Sequence, residues 1–155
     1  MTTSSDIISH KRFYEIAPAA VQALLDLGKA VDASGLEKSL TELVKLRVSQ
    51  INGCAFCTQM HLDVARKLGV EGVKLDLVAV WREVDLYSPR EKAALAWAEA
   101  CTHLPPNEGT DLAYAQMRAE FSESEAVFLT ASIANINAWN RIAAPLHYAP
   151  QFANP

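Results

Sequence analysis

Residues 42–70 read ELVKLRVSQINGCAFCTQMHLDVARKLGV, and this stretch decides the fold. Asn52-Gly53 is a turn dipeptide set between two helical patterns. Before it, in SLTELVKLRVSQI, Leu40, Leu43, Val44 and Ile51 define an inner apolar face. Glu42, Lys45 and Ser49 follow at i, i+3 and i+7 on a separate, more polar stripe. After the turn a second helix is expected over 55–68, with Gly69 as its C-terminal stop. The two segments predict a helical hairpin. Cys54 falls at the start of its second helix, Cys57 about one turn further in, and His61 four residues beyond that. All three side chains can therefore lie along one face.

The helical pattern continues in both directions. Pro18 stands where a first helical turn tolerates it, and Val21, Leu24, Leu25 and Val31 fall near one face. Ser34/Glu37, Ser88/Glu91 and Ser122/Glu125 have the capping-box spacing, in which Ser and Glu satisfy each other's free backbone N–H groups. Ser39/Glu42 has the same spacing but lies inside an apolar-periodic run, so it is read as coincidental. These signals predict helices near 18–32, 35–51, 55–68, 72–82, 89–103, 110–120 and 123–143, with LPPNEG as a loop. No clean period-2 run bounded by turn residues requires a strand. The expectation is an all-α domain of about seven helices, a single unit over 1–155 with its core in 18–143.

Composition narrows the function. The chain has 155 residues, 50% of them hydrophobic and 21% charged, a soluble globular profile with enough length for its own core. Its net charge of −4, from 14 basic and 18 acidic residues, lacks the footprint of a nucleic-acid or anionic-lipid binder. The start, MTTSSDIISHKRFYEIAP, lacks the basic and apolar regions of a secretory signal, and no apolar run suggests a membrane span. A cytoplasmic location is expected. Three cysteines do not make a disulfide framework, and in a reducing compartment a close pair points to redox work or metal binding.

A helix N-terminus favours a thiolate over a thiol, and the i, i+3 spacing of Cys54 and Cys57 lets two sulfurs close a disulfide beside an imidazole. If the hairpin forms, Glu42 can reach His61 and fix its tautomer; spacing alone equally allows Glu42 to sit in solvent beside Lys45 or Lys38. A tetrahedral zinc site would take Cys54, Cys57 and His61 and need a fourth ligand from Cys101, His103 or Glu42, none in a recognisable second pair. No metal and no cofactor is expected. Cys101 reads as core, His103 as a helix-ending residue, and Trp81, Trp97 and Trp139 as packing.

With Glu42, eleven residues, Cys54-x-x-Cys57, three residues and His61, the 42–70 stretch resembles the core motif of AhpD-like alkylhydroperoxidases, within the wider carboxymuconolactone decarboxylase family. WREVDLYSPREKAALAWAEACTHL and FSESEAVFLTASIANINAWNR are also similar to short members, so the likeness runs from about Pro18 to Arg141. The resemblance implies an all-helical fold assembling into symmetric oligomers, trimers or hexamers. It implies Cys57 as the peroxidatic thiol, Cys54 as the resolving one, His61 as the base and Glu42 as the relay behind it. A hydroperoxide would be the substrate, and an external lipoyl- or thioredoxin-like dithiol the reductant. The best-known peroxidases of the group carry a second His directly before the C-terminal Cys, where Phe56 stands here. The decarboxylase branch lacks the Cys pair. The alternatives are a dithiol–disulfide oxidoreductase without peroxide chemistry and a non-enzymatic helical oligomer.

Overall fold

In the computed structural model residues 7–152 are described, so the leader-free reading of the first six residues lies outside them. Eight α-helices follow in order: α1 (His10–Ile16), α2 (Pro18–Asp32), α3 (Lys38–Ile51), α4 (Ala55–Lys67), α5 (Gly72–Leu77), α6 (Pro89–Thr102), α7 (Glu108–Glu120) and α8 (Glu123–Ala143). A 3-10 segment, Val78–Glu83, continues α5. The described residues contain no strand, and the all-α expectation holds with one more helix than the seven anticipated.

The centre of the molecule is α3. It packs on α4, α6 and α8, and Leu40 through Val44, Leu46, Val48 and Ser49 are all buried. Burial on most sides is what a central helix requires, and it draws the polar stripe inside along with the apolar one. Val44 and Val48 join Leu129, Ile133 and Ile136 of α8 in the larger core, while Leu43 and Leu46 meet Leu75, Val78 and Leu95 in the smaller one. Around this axis α2 lies on α8 and α7 lies on α6.

Local chemistry accounts for most boundaries. The Ser88/Glu91 and Ser122/Glu125 capping boxes form, with Pro89 opening α6. The one expected at Ser34/Glu37 does not, and α3 starts at Lys38 rather than 35. Ser34 Oγ instead donates to the Val31 carbonyl at 2.6 Å and accepts from Leu36 N–H, so it serves the end of α2. The Glu37 carboxylate is held by the Arg90 fork at 2.9 and 3.0 Å, a charge-assisted pairing stronger than a cap bond. The expected helix over 72–82 breaks at Val80 (φ −121°, ψ 28°). This break turns Trp81 inward, where its indole N–H donates to Glu99 Oε1 at 3.0 Å. The expectations missed α1, which Ser9 caps by accepting from Arg12 N–H, and the Asn107/Thr110 capping box that starts α7 at Glu108.

Candidate active site

Cys54 joins two helices. Asn52 ends α3 and Gly53 follows with φ +64°, a left-handed turn that a side chain would strain. The Cys54 N–H then reaches back to the Ser49 carbonyl at 3.0 Å and Gly53 N–H to Gln50, the bonding pattern of a Schellman end. Cys54 is at the same time the N-cap of α4, its Sγ accepting from the Cys57 N–H at 3.3 Å. A soft sulfur at this position faces the free amides and positive dipole end of the helix. Cys54 and Cys57 are disulfide-bonded, with Cα atoms 5.3 Å apart, and both are 1% exposed. The turn is anchored to α8: Asn52 Nδ2 donates to Asn137 and Asn140 at 2.9 Å each, and Asn140 donates to Ser49 Oγ at 3.1 Å.

The hairpin brings α3 against α4, so the polar stripe and the Cys/His face meet. His61 Nδ1 lies 2.6 Å from Glu42 Oε2. Glu42 is only 2% exposed, which overturns the alternative of a solvated Glu42, yet its pairing with lysines is also present. Lys45 Nζ donates to Glu42 Oε1 at 2.9 Å, and Lys38 Nζ lies 3.3 Å from the same oxygen. Burial works to raise the Glu42 carboxyl, but the hydrogen bond and charge of His61, with Lys45 behind them, outweigh it and bring the group down to about 2. A carboxylate acceptor requires a proton on His61 Nδ1, so in the neutral ring Nε2 is left as the open, proton-accepting position. Nε2 is buried and has no partner among the described residues.

A cleft of about 480 Å³ opens over this pair. Cys57, His61 and Glu42 line it and Cys54 does not, so of the two sulfurs Cys57 is the one facing the cleft. Aromatic rings form much of the wall: Tyr14 and His10 from α1, Phe56 beside Cys57, Trp139 from α8, and Tyr148 after it. They touch in a chain, with His10 against Tyr14 (4.5 Å between centroids), Phe56 (5.3 Å) and Tyr148 (4.9 Å). The arrangement can hold an apolar molecule against a sulfur with a base beside it.

All four residues predicted for the site are thus brought together. Cys101 and His103 are not part of it: burial pushes the half-buried Cys101 thiol up to about 11, and His103 ends α6 against the Glu99 carbonyl. Among the described residues no group of three or more His, Cys, Asp or Glu could hold a metal ion. Sequence reasoning missed His10, Tyr14, Asn135 and Tyr148 as cleft residues and took Trp139 for packing. The Ser9 cap signal before HKRFY could have revealed α1, but nothing local announces which face of it meets α4.

The model of the carboxymuconolactone decarboxylase family matches residues 18–100. The uncharacterized protein YdfG of Bacillus subtilis is 41% identical over 131 residues, 84% of this chain and 89% of that one. YnjA of Escherichia coli, also uncharacterized, is 35% identical over 101 residues, 64% of this chain and 54% of its own. Among solved structures, an Agrobacterium tumefaciens protein of unknown function ascribed to AhpD-type antioxidant defence superposes with a TM-score of 0.88 at 37% identity, over 95% of this chain and 99% of that one. The debrominase Bmp8 shares the fold, with a TM-score of 0.77 at 24% identity over 88% and 74% of the two chains.

Proposed function

Since the chain belongs to the carboxymuconolactone decarboxylase family, we propose that it is a thiol peroxidase, reducing organic hydroperoxides through a Cys54–Cys57 dithiol/disulfide cycle. The observation that carries this reading is the open Nε2 of His61, held in its tautomer by Glu42, in the cleft that Cys57 lines. In the reduced protein His61 Nε2 takes the Cys57 thiol proton, and Glu42 stabilises the imidazolium that results. The thiolate attacks the distal oxygen of the hydroperoxide. The O–O bond breaks, its electron pair leaves on the alkoxide, and His61 returns the proton to give the alcohol. Cys57 is now a sulfenic acid. The Cys54 thiol, whose ionisation is favoured at the helix cap, gives up its proton and attacks the sulfenic sulfur. The S–S bond forms, the S–O bond breaks, and the departing hydroxide takes that proton to leave as water. Two electrons from an external dithiol restore the pair by exchange.

Burial of both sulfurs bears on that reductant. With each 1% exposed, a dithiol on a slender, extended arm of the lipoyl kind fits the approach better than a broad thioredoxin-like face. A cytoplasmic setting, where dithiols are kept reduced, belongs to this reading. Assembly into a homo-oligomer belongs to it too, supported by the apolar surface that Leu25 and Met60 leave at the cleft. No described helix is long and apolar enough to cross a membrane.

Free-thiol titration of the reduced protein, before and after one equivalent of cumene hydroperoxide, tests the proposal. Loss of two thiols, mapped to a Cys54–Cys57 disulfide, is expected. Thiols inert to peroxide but exchanging with small disulfides would instead give a dithiol–disulfide oxidoreductase. Thiols inert to both would leave the non-enzymatic reading.

A further inference from the structure

Five side-chain oxygen or nitrogen atoms are buried without a partner among the described residues, and three of them belong to residues lining the active-site cleft. Two of these are His61 Nε2 and the Tyr148 hydroxyl. The third is Asn135 Oδ1, which the peroxidase chemistry does not use. Asn135 is 5% exposed, and its amide is oriented by Nδ2 donating to the Leu24 carbonyl of α2 at 3.2 Å. The oxygen is therefore the free end. A buried amide oxygen with no donor costs free energy that a ligand donor would recover.

Gly28 stands beside it. It occupies the interior of α2 with no positive φ, a place where glycine is inferior to alanine. A Cβ built there would meet one atom, Asn135 Nδ2, at an ordinary 3.5 Å. Neither the backbone nor a packing clash therefore calls for glycine at this position. What a larger side chain would occupy is the cleft, which Gly28 also lines.

Along α8, Asn135 and Ala143 both line the cleft, about 12 Å apart along the helix axis. Phe56, next to Cys57, packs on Tyr148 beyond Ala143, so Cys57 lies toward that end of the helix. Between the ends the α8 side of the lining is apolar, with Ile136 and Trp139, while Lys29, Asp32, Lys38 and Lys45 line the cleft from α2 and α3. We propose that Asn135 and Gly28 form a distal subsite, and that the substrate is an elongated apolar or aromatic molecule with its reactive group at Cys57 and a hydroxyl or N–H donor at its far end, bonded to Asn135 Oδ1. The identity of the reactive group as a hydroperoxide rests on the function proposed above; the distal donor does not. Gly28 sets the length of molecule admitted.

The test uses unreactive probes, so its outcome is separate from that of the peroxide titration. 4-Methylbiphenyl and 4′-methylbiphenyl-4-ol differ only by a hydroxyl at one end, the sole donor of the pair, and their affinities for the oxidised full chain are measured by calorimetry. The hydroxylated probe is expected to bind about fivefold tighter or better, the worth of satisfying one buried acceptor. Asn135→Leu should bring the two affinities together. Gly28→Leu, a helix-favouring change whose Cβ meets Asn135 Nδ2 at an ordinary 3.5 Å, should weaken both probes by about tenfold or more. Equal affinity of the two probes for the unmodified protein would overturn the distal hydrogen bond. Unchanged binding of both to Gly28→Leu would overturn the subsite.

Discussion

Two carboxylates each gather several donors, the buried Glu42 and the half-buried Glu99, and only one of them has the surroundings of a catalytic group. Glu99 of α6 accepts from Arg47 at 2.7 Å, from the Trp81 indole at 3.0 Å and from Arg82, and burial, which would raise its carboxyl, is outweighed by these donors. Its two charged partners are guanidiniums, which stay protonated at any ordinary pH. Its third partner cannot titrate in that range. Glu42 is held as tightly, by His61, Lys45 and Lys38. The difference lies one atom further out. The far nitrogen of the ring bonded to Glu42 has no partner among the described residues, and His61 lines a cleft shared with a sulfur. Burial and a lowered pKa are common to both sites, so neither is a mark of catalysis by itself.

The contrast breaks most sharply at the sulfur. Cys57→Ser should abolish hydroperoxide turnover, a fall of about 10³-fold or more in kcat/KM, since a serine hydroxyl offers no comparable nucleophile. Cys54→Ser should instead leave a sulfenic acid, trapped by dimedone and read by mass spectrometry after one peroxide equivalent. Retained turnover in Cys57→Ser would sink the assignment.

Next comes the ring. His61→Gln removes the base while keeping a polar group near Glu42, and should cost on the order of 10²–10⁴ in kcat/KM. The rising limb of the pH–rate profile should move to higher pH, because the thiol must then ionise without help. Arg82→Gln, the matching change at Glu99, should leave turnover within about twofold. Equal losses in the two variants would mean that the open nitrogen is irrelevant.

How much of this was legible beforehand follows from where the information sits. The hairpin is local: Asn52-Gly53, the flanking periodicity and the Cys-x-x-Cys-x-x-x-His spacing lie in one stretch, so the helical hairpin and the shared face of Cys54, Cys57 and His61 could be read from it. Spacing left Glu42 undecided, and only the family resemblance singled it out. Ser88 and Ser122 form their boxes although Lys74 and Arg90 also reach Glu91 and Glu125, whereas the Glu37 carboxylate turns to Arg90, 53 residues away, and forms none. The same limit hid the burial of Glu42, since a helix packed on three neighbours does not expose its polar stripe as a surface helix does. The aromatic wall was invisible for a further reason. It is assembled from α1, α4, α8 and the chain after α8, and no residue in it has a local signal of its neighbours.

At Glu99 the comparison predicts a loss of stability with no loss of chemistry. Glu99→Gln leaves Arg47, largely buried, without its counter-charge, which should cost about 3 kcal/mol in urea unfolding. Peroxide turnover of the folded variant should stay within about twofold. A variant as stable as the parent would mean that the three donors find water instead.

The smallest effect expected is the acid behaviour of Glu42, and it separates the pair in a second way. Its carboxyl falls from an ordinary value near 4.5 to about 2 in the folded chain, so the unfolded state binds the proton more readily. Stability from this group is therefore fully present above the unfolded value. It declines as pH drops from about 5 and is gone below about 2. A shift of that size corresponds to about 3 kcal/mol at most, and water reaching the cleft side should reduce the observed slope to about 2. Urea midpoints of the parent and Glu42→Gln, taken from pH 6 to pH 2.5, should converge as the pH falls, the parent losing what the variant never had. In Glu99→Gln the slope due to Glu42 should survive, because the two carboxylates share no donor. Parallel curves for parent and Glu42→Gln would show that the ring and Lys45 do not hold Glu42 ionised.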